Sequence, residues 1–199
     1  SMFWKDEGYL LSKNNFDENS LIIEAFTLEH GKYSGIVYGG SSRKQKKNFQ
    51  IGNKILLNWK SKSENKLGYF NIELIDPVAP LYFDDKKRSI SIMAASSILK
   101  ILLPERQKNK KIYYSFEKLI NQLKDANWIK LYILWERSLI SDLGYEIPNL
   151  LSNVEINKFT NLDILKDLIF NKKLFMENFL VPNKLRMPLS RNILEKYYN

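Results

Sequence analysis

The chain contains no cysteine and only one histidine, His30. Without cysteine there is no disulfide, thiolate nucleophile, Fe–S cluster or Cys-based zinc site. A single imidazole excludes a poly-histidine zinc centre and any mechanism that needs two such rings. No apolar run approaches the roughly 18 residues that span a bilayer. No basic-then-apolar leader opens the chain, so the expected location is cytoplasmic, with no membrane partner. Ser1 ahead of Met2 reads as a tag-cleavage scar. Acidic residues are the scarcer charge, 22 Asp and Glu against 31 Lys and Arg, for a net charge of +9 over 199 residues. That excess favours a polyanionic partner. Richness in Lys, Asn and Ile also fits an AT-rich genome, which explains the total charge better than its clustering.

The first part of the chain reads as strands. Residues 8–13, 21–27, 32–39, 54–62 and 67–75 are short and rich in β-branched and aromatic residues. Turn formers such as Asn14-Asn15, His30-Gly31 and Gly52-Asn53 separate them. Five strands in about 75 residues is the content of a small closed barrel, of which the OB-fold is the commonest form. Alternation puts Trp59 with Ile55 and Leu57, hence inside, whereas Tyr38 is open to either face. After Pro77 and Pro80 the period becomes helical. Asp84 and Asp85 are N-cap candidates for a helix to Leu103. Helices are expected at 112–124 and 126–143, the latter closed by Gly144. Shorter ones are expected at 161–170, 172–179 and 190–198. The expected class is α+β, a five-stranded OB-type barrel (2–80) followed by an α-helical domain (81–199).

Residues 41–62 carry Arg43, Lys44, Lys46, Lys47, Lys54, Lys60 and Lys62 and no acid. In an OB barrel this stretch borders the face that holds single strands, and its cations would neutralise phosphates. Lys32 and Tyr38 complete the candidate nucleic-acid set, because exposed rings can stack bases. Gly39-Gly40-Ser41-Ser42 is a flexible turn, not a P-loop, since the required spacing is absent. Arg106, Lys108, Lys110 and Lys111 form a second basic run, suited to an acidic peptide. Asp84 and Asp85 fit a helix cap better than a metal pair, and His30, lacking partners, reads as a turn residue. No catalytic residue, metal or cofactor is expected.

Several segments resemble one family. Trp4-Lys5-Asp6-Glu7-Gly8-Tyr9-Leu10-Leu11 looks like the first strand of RecO. Phe26-Thr27-Leu28-Glu29-His30-Gly31-Lys32-Tyr33-Ser34-Gly35, Val37-Tyr38-Gly39-Gly40-Ser41-Ser42-Arg43 and Gln50-Ile51-Gly52-Asn53 continue the likeness. It loosens at Leu102-Leu103-Pro104-Glu105-Arg106 and from Trp135-Glu136 to Leu143-Gly144-Tyr145. The resemblance implies a non-enzymatic recombination mediator, nucleoid-associated, that binds single- and double-stranded DNA and anneals complementary strands. It implies partnership with RecR and with the acidic C-terminal tail of single-stranded DNA-binding protein, and thereby the loading of RecA. The alternative is an RNA-binding OB protein of translation or RNA processing. Two departures stand out: the four-cysteine zinc module of some relatives is absent, and 147–179 looks short.

Overall fold

A computed structural model describes residues 2–40, 49–63, 66–146 and 160–199. They fall into two compact units, Ser1–Lys110 and Lys111–Asn199.

The first unit is a closed five-stranded barrel with a helix on it. The strands are β1 (Met2–Asn15), β2 (Ser20–Thr27), β3 (Gly31–Tyr38), β4 (Lys54–Ser61) and β5 (Gly68–Asp76), in the order β1-β2-β3-β5-β4. All pairings are antiparallel except the short β3–β5 contact, Gly35↔Gly68 and Ile36↔Tyr69. This is the OB-type architecture expected. β1 begins six residues before the expected start. Its first half pairs with β4 (Met2↔Ser61 to Tyr9↔Lys54) and its second with β2, so one long strand serves two neighbours. The charged run Lys5-Asp6-Glu7 hides that first half from a hydrophobic pattern.

Leu10, Leu21, Ile23, Ala25, Val37, Phe49, Ile55, Leu57, Trp59 and Phe70 fill the barrel. Trp59 is fully buried as alternation required, and its Nε1 donates to Ser34 O at 3.3 Å. Helix α1 (Lys86–Leu102) follows. The Asp85 side chain caps it by accepting from Arg88 N at 3.0 Å, so this acid serves a helix terminus. Ile92, Ala95 and Leu99 are buried on its inner face.

The second unit contains α2 (Lys110–Gln122, which opens at the junction), α3 (Trp128–Asp142), α4 (Asn161–Phe175) and α5 (Leu189–Lys196). Phe116, Leu119 and Ile120 are buried on the face of α2 that the 3.6-residue period picks out. On α3, Trp128, Trp135 and Leu139 are buried and Leu131 is half-buried, and the opposite side, with Tyr132, Ile133, Glu136 and Ile140, is buried as well. The segment expected as two short helices is one helix, α4, running on through a π-helical turn at Met176–Leu180. A capping box at Thr160 and Asp163 starts it. No helix among the described residues is long and apolar enough to cross a membrane.

Candidate nucleic-acid interface

β-Pairing decides which side chains share the barrel's outer surface. In antiparallel pairs the two partners point the same way, and the next outward row lies two residues on. Phe3 on β1 pairs with Lys60 on β4, and Lys60 pairs with Tyr69 on β5. Tyr69 in turn stacks on Tyr38 of β3, ring centroids 5.2 Å apart at 19°. This row crosses four strands, and its rings are open to solvent: Phe3 is 68% exposed, Tyr38 65% and Tyr69 40%. Contact with Tyr69 raises the Tyr38 phenol pKa above its ordinary value, with Asp17 adding a smaller push the same way. The neighbouring outward row is Lys5, Asn58 and Asn71. Lys5, Lys60 and Lys62 are exposed. The row beyond brings acid, Glu7 and Glu73, and there Lys54 pairs with Glu7 at 2.9 Å.

The outer side of β2 and β3 differs. Lys32 is buried, its Nζ donating to Lys100 O at 2.6 Å. Burial pushes its pKa below the usual lysine value. Its ammonium serves the fold, so Lys32 leaves the candidate set. Lys100 lies 3.7 Å from Glu24, Arg106 N donates to Lys32 O at 2.8 Å, and Glu105 bridges to Lys32. A Cβ on Gly31 (φ +76°) would sit 2.2 Å from Gln107 O. The chain leaving α1 is therefore laid directly along the β2–β3 hairpin.

The second basic run is also internally engaged. Lys108 and Lys110 close on Glu29 at 2.5 and 2.9 Å. Arg106 stands over Tyr33 and Trp59, 4.7 and 5.3 Å from the centroids, capping the barrel's aromatic end. Lys111 pairs with Asp142 at 3.2 Å. These four residues are not the free cationic rim that the sequence suggested. The three lysines are matched by acids far away in sequence and Arg106 by aromatic rings, which no local pattern reveals. His30 stacks on Trp4 at 4.0 Å and bonds Asp6 at 2.8 Å, so it is a structural turn residue.

Arg43, Lys44, Lys46 and Lys47 lie outside the described residues. Of the remaining candidates, Tyr38 and Lys60 come together in the aromatic row and the exposed Lys62 lies just past the end of β4, while Lys54 sits three rows away. Sequence reading missed Phe3, because the expected first strand began only at Gly8 and the family likeness only at Trp4. The signal was present: Phe3 and Lys5 alternate with Trp4 and Asp6.

The Glu29 clamp gives a pH prediction. Hydrogen bonds from Lys108 and then Lys110 hold its carboxyl down from 4.5 to about 2. A depressed carboxyl pKa contributes stability above its unfolded value, and that contribution drains away as pH falls from about 4.5 towards 2. In an NMR titration Glu29 is expected to stay ionised at about pH 3. A midpoint at the ordinary glutamate value would mean the two lysines do not close on it.

No group of three or more His, Asp or Glu side chains that could hold a metal occurs among the described residues. In the second unit a cleft of about 340 Å³ separates α2 from α3, lined by Lys118, Leu119, Leu131, Leu134 and Trp135 among others. The buried Trp135 Nε1 has no hydrogen-bond acceptor.

Comparison with known proteins agrees with this architecture. The family described as Recombination protein O N terminal matches residues 2–78, and Recombination protein O C terminal matches 84–155. The chain is 34% identical over 147 residues to a protein of Roseobacter denitrificans named DNA repair protein RecO, covering 73% of this chain and 61% of the relative. Proteins of the same name from Hyphomonas neptunium (35% over 147 residues; 72% and 60%) and a Wolbachia of Drosophila simulans (34% over 148; 73% and 61%) are similar to the same extent. The match thus spans about three fifths of the length of these curated relatives.

Proposed function

The chain belongs to the RecO family of DNA repair proteins, and we propose that it acts as a DNA-binding recombination mediator without catalysis of its own. In this reading the barrel, residues 2–80, binds single- and double-stranded DNA, and the helical part, 81–199, receives protein partners. The protein anneals complementary strands. With RecR it helps RecA onto DNA coated by single-stranded DNA-binding protein, in the cytoplasm at the nucleoid. The observation that carries the reading is the outer surface of β1, β4 and β5. There Lys5 and Lys60 stand among Asn and aromatic side chains, with no acid in their two rows, and the exposed Lys62 lies just past the end of β4. Ammonium groups so placed neutralise phosphates and release counterions.

For the acidic tail of single-stranded DNA-binding protein we place the seat in the α2–α3 cleft rather than on residues 106–111. Leu119, Leu131, Leu134 and Trp135 supply apolar wall and Lys118 a cation. Such a pocket suits a short peptide ending in acid and a large apolar side chain.

The test is binding and annealing at several salt concentrations. Affinity for both DNA forms is expected to fall steeply as salt rises, each phosphate contact adding about 0.7–0.9 to the slope. The Lys60→Glu, Lys62→Glu variant is expected to bind every sequence more weakly with a shallower slope. Salt-independent binding, or a variant with the wild-type slope, would remove this surface from the mechanism.

A further inference from the structure

OB-folds usually take oligonucleotides on the face of their second and third strands. Here part of that face is occupied by the chain itself. Outward-facing Phe26 and Lys32 are buried, and Lys100 is tied to Glu24 and Lys32 while Glu105, Arg106 and Gln107 run against the hairpin. The barrel's open aromatic surface lies on another side, the row Phe3–Lys60–Tyr69–Tyr38 across β1, β4, β5 and β3.

We propose that this row is a stacking platform for the bases of single-stranded DNA, which crosses the barrel on the β1–β4–β5 side instead of along β2 and β3. The proposal rests on the DNA-binding reading above and adds where the single strand lies and how it is told from duplex. Four strands at about 4.8 Å spacing make a row about 14 Å long. That is roughly the reach of the two or three bases that sheet aromatics stack in other single-strand binders. The charge supports this occupant. Lys60 stands between Phe3 and Tyr69, and Lys5 and Lys62 flank the row, so a backbone threading past the rings meets ammonium groups. The Tyr38–Tyr69 pair is already stacked, so a base can cap it without prior ordering of the two rings. In duplex the base faces are covered by one another. Only the phosphate contacts then remain, and the rings add nothing.

The experiment measures the affinity of the full chain for oligothymidylate, an abasic strand of equal length, and a duplex. Phe3→Ala with Tyr69→Ala is expected to weaken oligothymidylate binding by about tenfold or more. Duplex and abasic affinities and the melting temperature should stay near wild type, since both rings are on the surface. Tyr69→Phe, which keeps the ring, should bind as wild type. The platform is overturned if the double variant binds oligothymidylate unchanged, or loses affinity for all three probes in equal ratio. Tighter binding of oligouridylate than of oligothymidylate would overturn DNA as the occupant. If the ring variant is silent while duplex binding and annealing persist, only the platform fails. If the wild-type chain binds none of the probes, the DNA-binding reading fails with it.

Discussion

Glu136→Ala is expected to cost the second unit about 3–5 kcal/mol, because it strips a fully buried cation of its partner. Glu136 and Arg191 have no exposed surface. The Glu136 carboxylate accepts from Arg191 Nε at 2.6 Å and Nη2 at 3.0 Å, from Tyr132 Oη at 2.8 Å and from Asn171 Nδ2 at 3.1 Å. One side chain on α3 thus holds α4 through Asn171 and α5 through Arg191. Burial alone would lower the Arg191 pKa, but the Glu136 charge outweighs it and the guanidinium is held ionised more firmly than usual. Burial first, and then the Glu136 charge, pushes the Tyr132 phenol well above its ordinary value. Without Glu136 the guanidinium stays charged in an apolar interior. It keeps contacts with Leu168 O at 2.8 Å, Glu195 at 3.7 Å and the Tyr132 hydroxyl, none of which replaces the bidentate carboxylate. Urea unfolding of the full chain reads the loss. Replacing both partners, Glu136→Leu with Arg191→Met, is expected to cost much less than Glu136→Ala, since removing a whole buried pair can be nearly neutral. A Glu136→Ala variant as stable as wild type would show that α5 is not held by this pair.

The barrel's counterpart is Trp59→Ala, expected to cost about 3–5 kcal/mol of the first unit's stability. The ring lies in the middle of the core, 5.6 Å from Trp4 and 5.0 Å from Tyr33, with Arg106 over it. A Cβ on Gly68 would come within 2.4 Å of the indole, so β5 passes it only as glycine. The cavity would be too large for its rigid walls to close, and Ser34 O would lose its donor. Because the flanking residue Lys60 and its partner Tyr69 belong to the proposed DNA platform, single-strand binding is expected to fall with stability in the same variant. Trp59→Phe keeps most of the ring and is expected to lose less of both. If Trp59→Ala melted at the wild-type temperature, the barrel's core would lie elsewhere.

Much of this protein follows from local pattern. The absence of cysteine and the lone histidine already exclude whole classes of chemistry. Runs of β-branched and aromatic residues between turn formers located the five strands, β1 only in its second half. Alternation with period two put Trp59 inside, and the 3.6-residue period located the buried faces of α1 and α2, because burial on one face imposes those periods whatever packs against it. The N-cap at Asp85 was legible for the same reason, since its hydrogen bond is made three residues away. Closing the barrel and packing the helices decided what no local window contains. Closure set Phe3 beside Lys60 and Tyr69, residues from three strands whose register depends on the whole sheet. Long-range pairing joined Lys108 and Lys110 to Glu29 and turned an apparent binding rim into a clamp. Lys32 was drawn inward by the carbonyl of Lys100, and Glu136 met Arg191 across 55 positions. Charge in a sequence marks which side chains can bind an anion. Whether they remain available depends on which acids and carbonyls the folded chain brings within hydrogen-bonding distance.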